Sequence, residues 1–229
     1  MTYSRSFTKD KASTVCLPFA YTKKEGDGSF YAFTGIEKSG SNYIATMTEP
    51  VSSTLTANTP YLYMPSTTGN VDFSGTYTIP TELTAGSTTS GDWTFLGTYE
   101  TVQWTTAPTG IYGFSAQNVD AQSISQGEFV KVGAYVRVRP MRCYLKYKNG
   151  SEDYSGAPAL NSTAADEELP ETISVRLVSA NGETTVIENV ELTIENPDDA
   201  WYDLNGRKLS KKPTRKGIYV NNGKKYIVK

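Results

Sequence analysis

The sequence predicts an all-β protein, in which an antiparallel β-sandwich is followed by a smaller C-terminal β-unit of hairpins. Three observations carry this prediction. The chain is rich in threonine, serine and tyrosine, with 16 tyrosines in 229 residues, and β-branched and aromatic residues favour strands. Apolar residues recur at every second position in several short segments, which is the period of a strand with one buried face. Long runs of strong helix formers are missing from the sequence.

Short strands are predicted in the first part of the chain. The apolar run at residues 14–19 is interrupted by Pro18, which is typical of a strand end or an edge strand. Further strands are predicted at residues 29–36 and 43–47, on either side of a Gly/Ser turn, and at residues 61–64, between two prolines. We therefore expect a sandwich built from several short strands.

Residues 91–99 predict a strand with an aromatic face. Trp93, Phe95 and Tyr99 share one parity, so their rings would line the same side of the strand. Gly97 has the same parity and would leave space between the rings.

Residues 129–141 have the cleanest alternation in the chain. Valines and one alanine occupy even positions, and charged residues and a tyrosine occupy most odd positions. This pattern predicts one long, half-buried strand of an antiparallel sheet. Pro140 would end or bulge the strand, and residues 143–147 would resume it.

The predicted domain organisation follows from a change in composition near residue 149. Residues 149–170 are rich in glycine, serine, alanine and acids and lack apolar periodicity, which predicts a linker. Alternating strands are predicted again at residues 173–177 and 190–194, with a turn at Asn181 and Gly182. The predicted parts are a β-sandwich domain at 1–148, a linker at 149–170 and a C-terminal β-unit at 171–229.

The residue types exclude several classes of enzyme chemistry. The chain contains no histidine, which removes Ser-His-Asp and Cys-His catalysis and histidine metal ligation. It has two cysteines and no glycine-rich phosphate loop, which argues against tetrahedral zinc and nucleotide binding. We therefore expect a protein that is not an enzyme and has no catalytic residues, metal or cofactor.

The two cysteines, Cys16 and Cys143, lie far apart in the sequence. A disulfide between them would close a long loop across the sandwich. Alternatively, both are small buried hydrophobic residues on separate strands.

Two alternative functions depend on acids or on aromatic rings. A glycoside hydrolase needs two carboxylates across a cleft. Glu100 and Glu128 are candidates beside aromatic strands, although both also suit solvated strand ends.

A carbohydrate-binding module would use exposed rings, because sugars bind at apolar aromatic surfaces. The candidate rings of this glycan platform are Trp93, Trp104, Tyr61, Tyr63 and Tyr112. The competing interpretation is that these rings pack in the core.

Charge is distributed unevenly along the chain. Residues 201–229 contain nine basic residues and one acid, a net charge of +8, whereas the preceding residues contain 13 basic and 23 acidic ones, a net charge of −10. The basic tail could contact an anionic surface, or it could pack against the acidic part of the chain or stay solvated. Nucleic-acid binding is not expected, because the acidic part repels phosphate and no nucleic-acid module is recognisable.

Residues 201–229 resemble a known sorting signal. The tail is similar to the type A C-terminal sorting domain of the type IX secretion route in Bacteroidetes. The matching positions are Tyr202, Leu204, Gly206, Gly217, Ile218, Tyr219, Gly223 and Lys229. The tail departs from that pattern in being short and strongly basic.

A second resemblance covers most of residues 1–148. The blocks at 14–19, 91–99, 111–114 and 140–145 resemble C-terminal regions of Bacteroidetes surface proteins, some of which carry leucine-rich repeats upstream. This resemblance implies a secreted or cell-surface, outer-membrane-associated location, as part of a longer precursor. It implies no activity.

Together these observations predict a non-catalytic module with a structural or adhesion role and a C-terminal sorting or retention tail. The expected partners are a glycan or a host or cell-surface protein. No apolar run is long enough to predict a transmembrane segment.

Overall fold

A computed structural model describes residues 2–40, 42–76, 84–118, 124–148 and 169–187, together with the backbone of four short strands between residues 201 and 228. The described residues contain many strands and no helix, so the predicted all-β class is confirmed. The chain divides into two compact units, Met1–Asn189 and Val190–Lys229. Within the described part of the chain, no helix is long and apolar enough to cross a membrane.

The first unit contains the strands β1 to β17. In chain order they are β1 (Thr2–Phe7), β2 (Ser13–Cys16), β3 (Tyr21–Thr22), β4 (Gly28–Ser39), β5 (Asn42–Thr48), β6 (Thr54–Leu55), β7 (Pro60–Pro65), β8 (Gly69–Ser74), β9 (Ser87–Ser90), β10 (Trp93–Thr98), β11 (Val102–Gln103), β12 (Ile111–Phe114), β13 (Phe129–Lys131), β14 (Arg137–Val138), β15 (Arg142–Tyr147), β16 (Thr172–Val178) and β17 (Thr184–Ile187).

Eleven of these strands form one large, curled, mixed sheet. Its order is β2-β7-β4-β5-β16-β13-β12-β15-β10-β9, and β17 pairs with β16 beside this path. Neighbouring strands are antiparallel except β5 and β16, which run parallel with Ser174 opposite Ile44. Three two-stranded pairs, β1–β8, β3–β6 and β11–β14, complete the described strands of this unit.

Alternation along the strands builds three apolar clusters. The largest is formed by the principal sheet and includes Phe33, Met47, Phe95, Phe129 and Val175, each at most 3 % exposed. The ring centroids of Phe95 and Phe129 are 5.8 Å apart, although β12 and β15 lie between their strands in the sheet. The curl of the sheet therefore brings its own inner face together to form the core.

Most buried residues of the second cluster are aromatic. Phe30 stacks on Tyr63 with ring centroids 4.4 Å apart, and Phe7 and Phe73 meet the Tyr63 ring edge-on. A third, smaller cluster surrounds Trp104. Such offset and edge-to-face contacts are the favoured geometries of buried rings.

The predicted domain boundary after residue 148 is corrected by β16. This strand lies inside the principal sheet, where Ile173 is opposite Phe129 of β13 and Ser174 is opposite Ile44 of β5. Ile173, Val175 and Leu177 are buried, and a hairpin of β16 and β17 alone could not bury them, since isolated hairpins are marginally stable. The first unit therefore continues to Asn189. Residues 149–168 of the predicted linker lie outside the described residues.

The long strand predicted at residues 129–141 is also corrected. It is divided into β13 and β14 by a turn in which Tyr135 has a φ of 63°. The Tyr135 amide donates to the Trp104 carbonyl, and the Trp104 amide donates to the Val136 carbonyl. Tyr135 is 77 % exposed and Val136 is 40 % exposed, so the alternation here does not reflect one half-buried strand.

Most of the other predicted strands are confirmed. Those at 29–36, 43–47, 61–64, 91–99, 143–147 and 173–177 correspond to β4, β5, β7, β10, β15 and β16. Asn181 and Gly182 lie in the connection between β16 and β17, where Gly182 has a φ of 86° and donates its amide to the Ser179 carbonyl. The strand predicted at 190–194 lies outside the described residues.

The second unit contains four described strands, which are β18 (Trp201–Asp203), β19 (Lys208–Leu209), β20 (Gly217–Asn221) and β21 (Lys224–Val228). They form an antiparallel sheet in the order β19-β18-β20-β21. Tyr202 is opposite both Lys208 and Val220, and Tyr219 is opposite both Asp203 and Tyr226. The stretch that resembles a sorting domain thus forms a small sheet of its own.

Candidate functional site

The five rings predicted to form a glycan platform are buried. Tyr61 is 7 % exposed, Trp93 is 5 % exposed and Trp104 is 1 % exposed, while Tyr63 and Tyr112 have no exposed surface. The rings also belong to different clusters: Trp93 and Tyr112 lie in the largest, Tyr61 and Tyr63 in the aromatic one, and Trp104 in the third. The prediction of an exposed platform is therefore wrong, and the competing prediction of core packing is correct.

Buried tyrosines keep their hydroxyl groups hydrogen-bonded inside the protein. The Tyr112 hydroxyl donates to the Pro170 carbonyl at 2.7 Å, and the Tyr63 hydroxyl donates to the Asp27 carbonyl. Burial is the main cause that raises the pKa of Tyr63 to about 12, and the Asp27 carboxylate adds to this effect. Burial raises the pKa of Tyr112 even further. These tyrosines are neutral structural groups.

The two acids considered for hydrolysis lie on different strands. Glu100 follows the end of β10 and is exposed, whereas Glu128 precedes β13 and is half-buried. Burial raises the pKa of Glu128. Neither Glu100 nor Glu128 belongs to the lining of the cleft described next.

A different part of the sheet forms an open cleft of about 410 Å³. The cleft lies between β4, β5 and the turn that joins β9 to β10. Its polar lining includes Thr34 and Glu37 from β4, Thr46 from β5, and Ser90 and Asp92 from the β9–β10 hairpin. Sequence analysis did not identify this site.

A β-bulge at Thr34 and Gly35 shapes the cleft. In the pairing of β4 with β5, Phe33 is opposite Met47 and Gly35 is opposite Thr46, so Thr34 is the extra residue of the bulge. The Ser90 hydroxyl donates to the Thr34 carbonyl at 2.8 Å. Gly35 has a φ of 153°, and a Cβ atom there would lie 3.0 Å from Ser90 Oγ. A glycine at the bulge therefore allows the β9–β10 hairpin to approach β4.

Each carboxylate of the cleft is paired with a cation from another part of the sheet. Arg176 of β16 contacts Glu37 at 3.1 Å. Lys148, which follows β15, contacts Asp92 at 2.8 Å, and its amide donates to the Asp92 carbonyl. All four side chains are at least a quarter exposed, so solvent weakens these pairs and they stabilise the fold only slightly. Their main consequence is that the cleft carries no net charge.

One residue of the cleft lining has an unsatisfied polar atom. Thr46 Oγ1 is buried and has no hydrogen-bond partner in the described structure. The Thr46 carbonyl, by contrast, accepts a hydrogen bond from the Thr34 hydroxyl at 3.0 Å. An unpaired buried hydroxyl costs about 1–3 kcal/mol, and a ligand in the cleft can satisfy this one only if the side chain turns Oγ1 into the cleft.

A signal for this site was present in the sequence. Gly35 follows the apolar and aromatic run at residues 30–33 inside a predicted strand, and an isolated glycine inside a strand often marks a bulge or a close backbone approach. The acids were not recognisable in the same way, because Glu37 and Asp92 lie 55 positions apart in the sequence. The described residues contain no group of three or more histidine, cysteine, aspartate or glutamate side chains that could hold a metal ion.

The residues of the sorting-type tail lie in the second unit. Tyr202 is on β18, and Gly217, Ile218 and Tyr219 are on β20. The other matching positions lie outside the described residues; they are Leu204, Gly206, Gly223 and Lys229.

The fold and the cleft define an all-β protein whose main unit is one large, curled, mixed sheet with a small polar cleft beside a bulge. No family model matches the chain, and no curated protein or solved structure matches it either.

Proposed function

We propose that this chain is a non-catalytic module of an exported bacterial cell-surface protein, with a structural or adhesion role and a C-terminal tail for sorting or retention. The first unit would act as a rigid scaffold. The evidence for this scaffold role is a sheet of eleven strands and the three apolar clusters of the unit. Such a packed sheet holds loops and turns in fixed positions.

The observation that carries the proposal concerns the tail. The residues that resemble a sorting domain form strands of their own four-stranded sheet, and Val190–Lys229 is a compact unit separate from Met1–Asn189. The secretion machinery must recognise a sorting or retention signal while the rest of the chain stays folded. A separate compact unit meets this requirement. The basic residues of the tail would favour an anionic surface as its contact.

The experiment compares export of the full chain with export of a chain that ends at Asn189. Both are placed behind a periplasmic signal peptide in a bacterium with the type IX secretion route. We expect protease added to intact cells to cleave the full chain, while the shortened chain stays protected. The same host without the secretion route is the control, and equal protection of both chains in the competent host would contradict the sorting function.

The burial and ion pairs of the candidate residues bear differently on the two alternative functions, glycan binding and hydrolysis. The glycan platform loses its basis, because the five rings are buried. The carboxylate-dependent hydrolase stays an alternative, although no observation favours the pair Glu100 and Glu128. In the cleft, Glu37 and Asp92 are both ion-paired with cations, an arrangement better suited to binding than to proton donation.

A further inference from the structure

We propose that the cleft between β4, β5 and the β9–β10 turn binds a short, neutral saccharide. This site goes beyond the proposed surface role and does not depend on it, since the cleft would bind the same ligand in any compartment. Four features of the cleft favour this ligand: its size, its balance of charge, its hydroxyl groups and its apolar side.

The size of the cleft fits a small ligand. Its volume of about 410 Å³ falls within the range of roughly 300–1,000 Å³ that is usual for small-molecule sites. The bulge at Thr34 and Gly35 and the β9–β10 hairpin form its two walls. Because both walls belong to paired strands of one sheet, the cleft is held open by the fold and need not be formed by the ligand.

The balance of charge favours a neutral ligand. Glu37 and Asp92 are matched by Arg176 and Lys148. A cationic ligand would compete with these two side chains for the carboxylates, and an anionic ligand would face two negative groups at close range. The ion pairs engage Oε2 of Glu37 and Oδ2 of Asp92. A carboxylate has about four lone-pair sites, so both acids can also accept hydrogen bonds from ligand hydroxyls.

Hydroxyl groups of the cleft complement a ligand that both donates and accepts hydrogen bonds. Thr34, Thr46 and Ser90 belong to the lining. The Thr34 and Ser90 hydroxyls donate to the Thr46 and Thr34 carbonyls and can still accept hydrogen bonds from a ligand. Thr46 Oγ1 is buried without a partner, while the residue as a whole is half-buried. A rotation about its Cα–Cβ bond that turns Oγ1 into the cleft would exchange an unsatisfied group for one bonded to the ligand.

The apolar side of the cleft would contact the C–H groups of a sugar ring. Ile36 and Trp93 belong to the lining. Because Trp93 is only 5 % exposed, it offers the ligand little surface and no stacking face. A polyhydroxylated ring with apolar C–H groups is the ligand class that satisfies the carboxylates, the hydroxyls and this small apolar side together.

The test is a titration of the isotope-labelled full chain, followed by the NMR signals of the Gly35 and Gly91 amides. The neutral probes are cellobiose, maltose, lactose, mannobiose and xylobiose at millimolar concentration. Digalacturonic acid and trilysine are the anionic and cationic probes. We expect at least one neutral disaccharide to shift both amide signals in a saturable way and to bind more tightly than either charged probe.

Variants of the cleft acids decide whether the binding is specific. Glu37→Gln and Asp92→Asn should each weaken binding by about tenfold, since each removes hydrogen bonds to a charged acceptor. Glu171→Gln is the matched control, because Glu171 is also an ion-paired acid, at 2.8 Å from Lys131, but lies outside the cleft. It should bind as the unmodified chain does. The dispersion of the NMR spectrum verifies that each variant is folded.

Two results would overturn the proposal. One is the absence of any saturable shift at Gly35 and Gly91 with all five neutral probes. The other is tighter binding of trilysine or digalacturonic acid, which would mean that the charge balance does not select the ligand. Neither result bears on the surface location tested with the shortened chain.

Discussion

The thiol of Cys16 occupies the space that Gly97 leaves on the inner face of β10. A Cβ atom at Gly97 would lie 2.3 Å from Cys16 Sγ and 2.8 Å from Cys16 Cβ. Gly97 is also directly opposite Cys143 of β15. The gap predicted between the rings of β10 is therefore filled by a side chain of β2, and the two cysteines are free and buried in one cluster.

Gly97→Ala should destabilise the protein by about 1–3 kcal/mol, the usual cost of forcing extra volume into a packed core. Urea unfolding followed by tryptophan fluorescence measures the change. Gly133→Ala is the control, because nothing lies within 4 Å of a Cβ atom at Gly133. Equal effects of the two substitutions would show that Cys16 does not fill this space.

Both cysteines should be unreactive in the folded protein. Burial raises the pKa of Cys16 to about 11 and that of Cys143 well above its usual value, and the thiolate is the reactive form. Ellman's reagent should therefore detect almost no thiol at neutral pH until urea unfolds the chain. Rapid reaction of the folded protein would contradict the burial of these side chains.

Trp104→Ala should destabilise the protein by about 3–5 kcal/mol, because it empties the centre of the third cluster. Trp104 is 1 % exposed and its ring centroid is 5.6 Å from that of Tyr144. Val51→Ala is the control, since Val51 is 95 % exposed and surface substitutions usually change stability by less than about 0.5 kcal/mol. A folded Trp104→Ala variant of unchanged stability would contradict the burial of this ring.

Stability should fall when the pH rises above about 10. The folded-state pKa of Tyr63 is raised to about 12 from its ordinary value of 10.0, so the unfolded chain releases this proton first. The contribution of Tyr63 is fully present below pH 10 and is lost as the pH rises towards 12. Denaturant unfolding between pH 8 and 12 measures the loss. Tyr63→Phe should reduce the loss without abolishing it, because burial also raises the pKa of Tyr112. A flat profile for the unmodified chain would contradict the buried, neutral state of Tyr63.

Local pattern predicted most strands but not their partners. The strands β4, β5, β10 and β16 follow directly from the local sequence. The parallel pairing of β5 with β16 joins segments such as Ile44 and Ser174, which are far apart in the sequence, and alternation carries no information about which distant strand is the partner. That is why the boundary was placed too early.

The errors at single residues have physical causes of the same kind. Alternation at residues 129–141 continues through a turn at Tyr135, where the backbone leaves the extended region. The five candidate rings were identified by residue type, and a tyrosine suits both a core and a surface because only its hydroxyl needs a polar partner. The sequence does not show that the cleft acids Glu37 and Asp92 belong to one site, because only the bulge at Gly35 brings their strands together.

The most direct test of the fold compares the unfolding of the full chain with that of chains ending at Asn189 and at residue 148. Since β16 lies between β5 and β13, the chain ending at Asn189 should keep the main cooperative urea transition of the full chain. The chain ending at residue 148 should lose that transition, together with the dispersed amide signals of β5 and β13. An unchanged transition in the chain ending at residue 148 would contradict the placement of Thr172–Val178 inside the principal sheet.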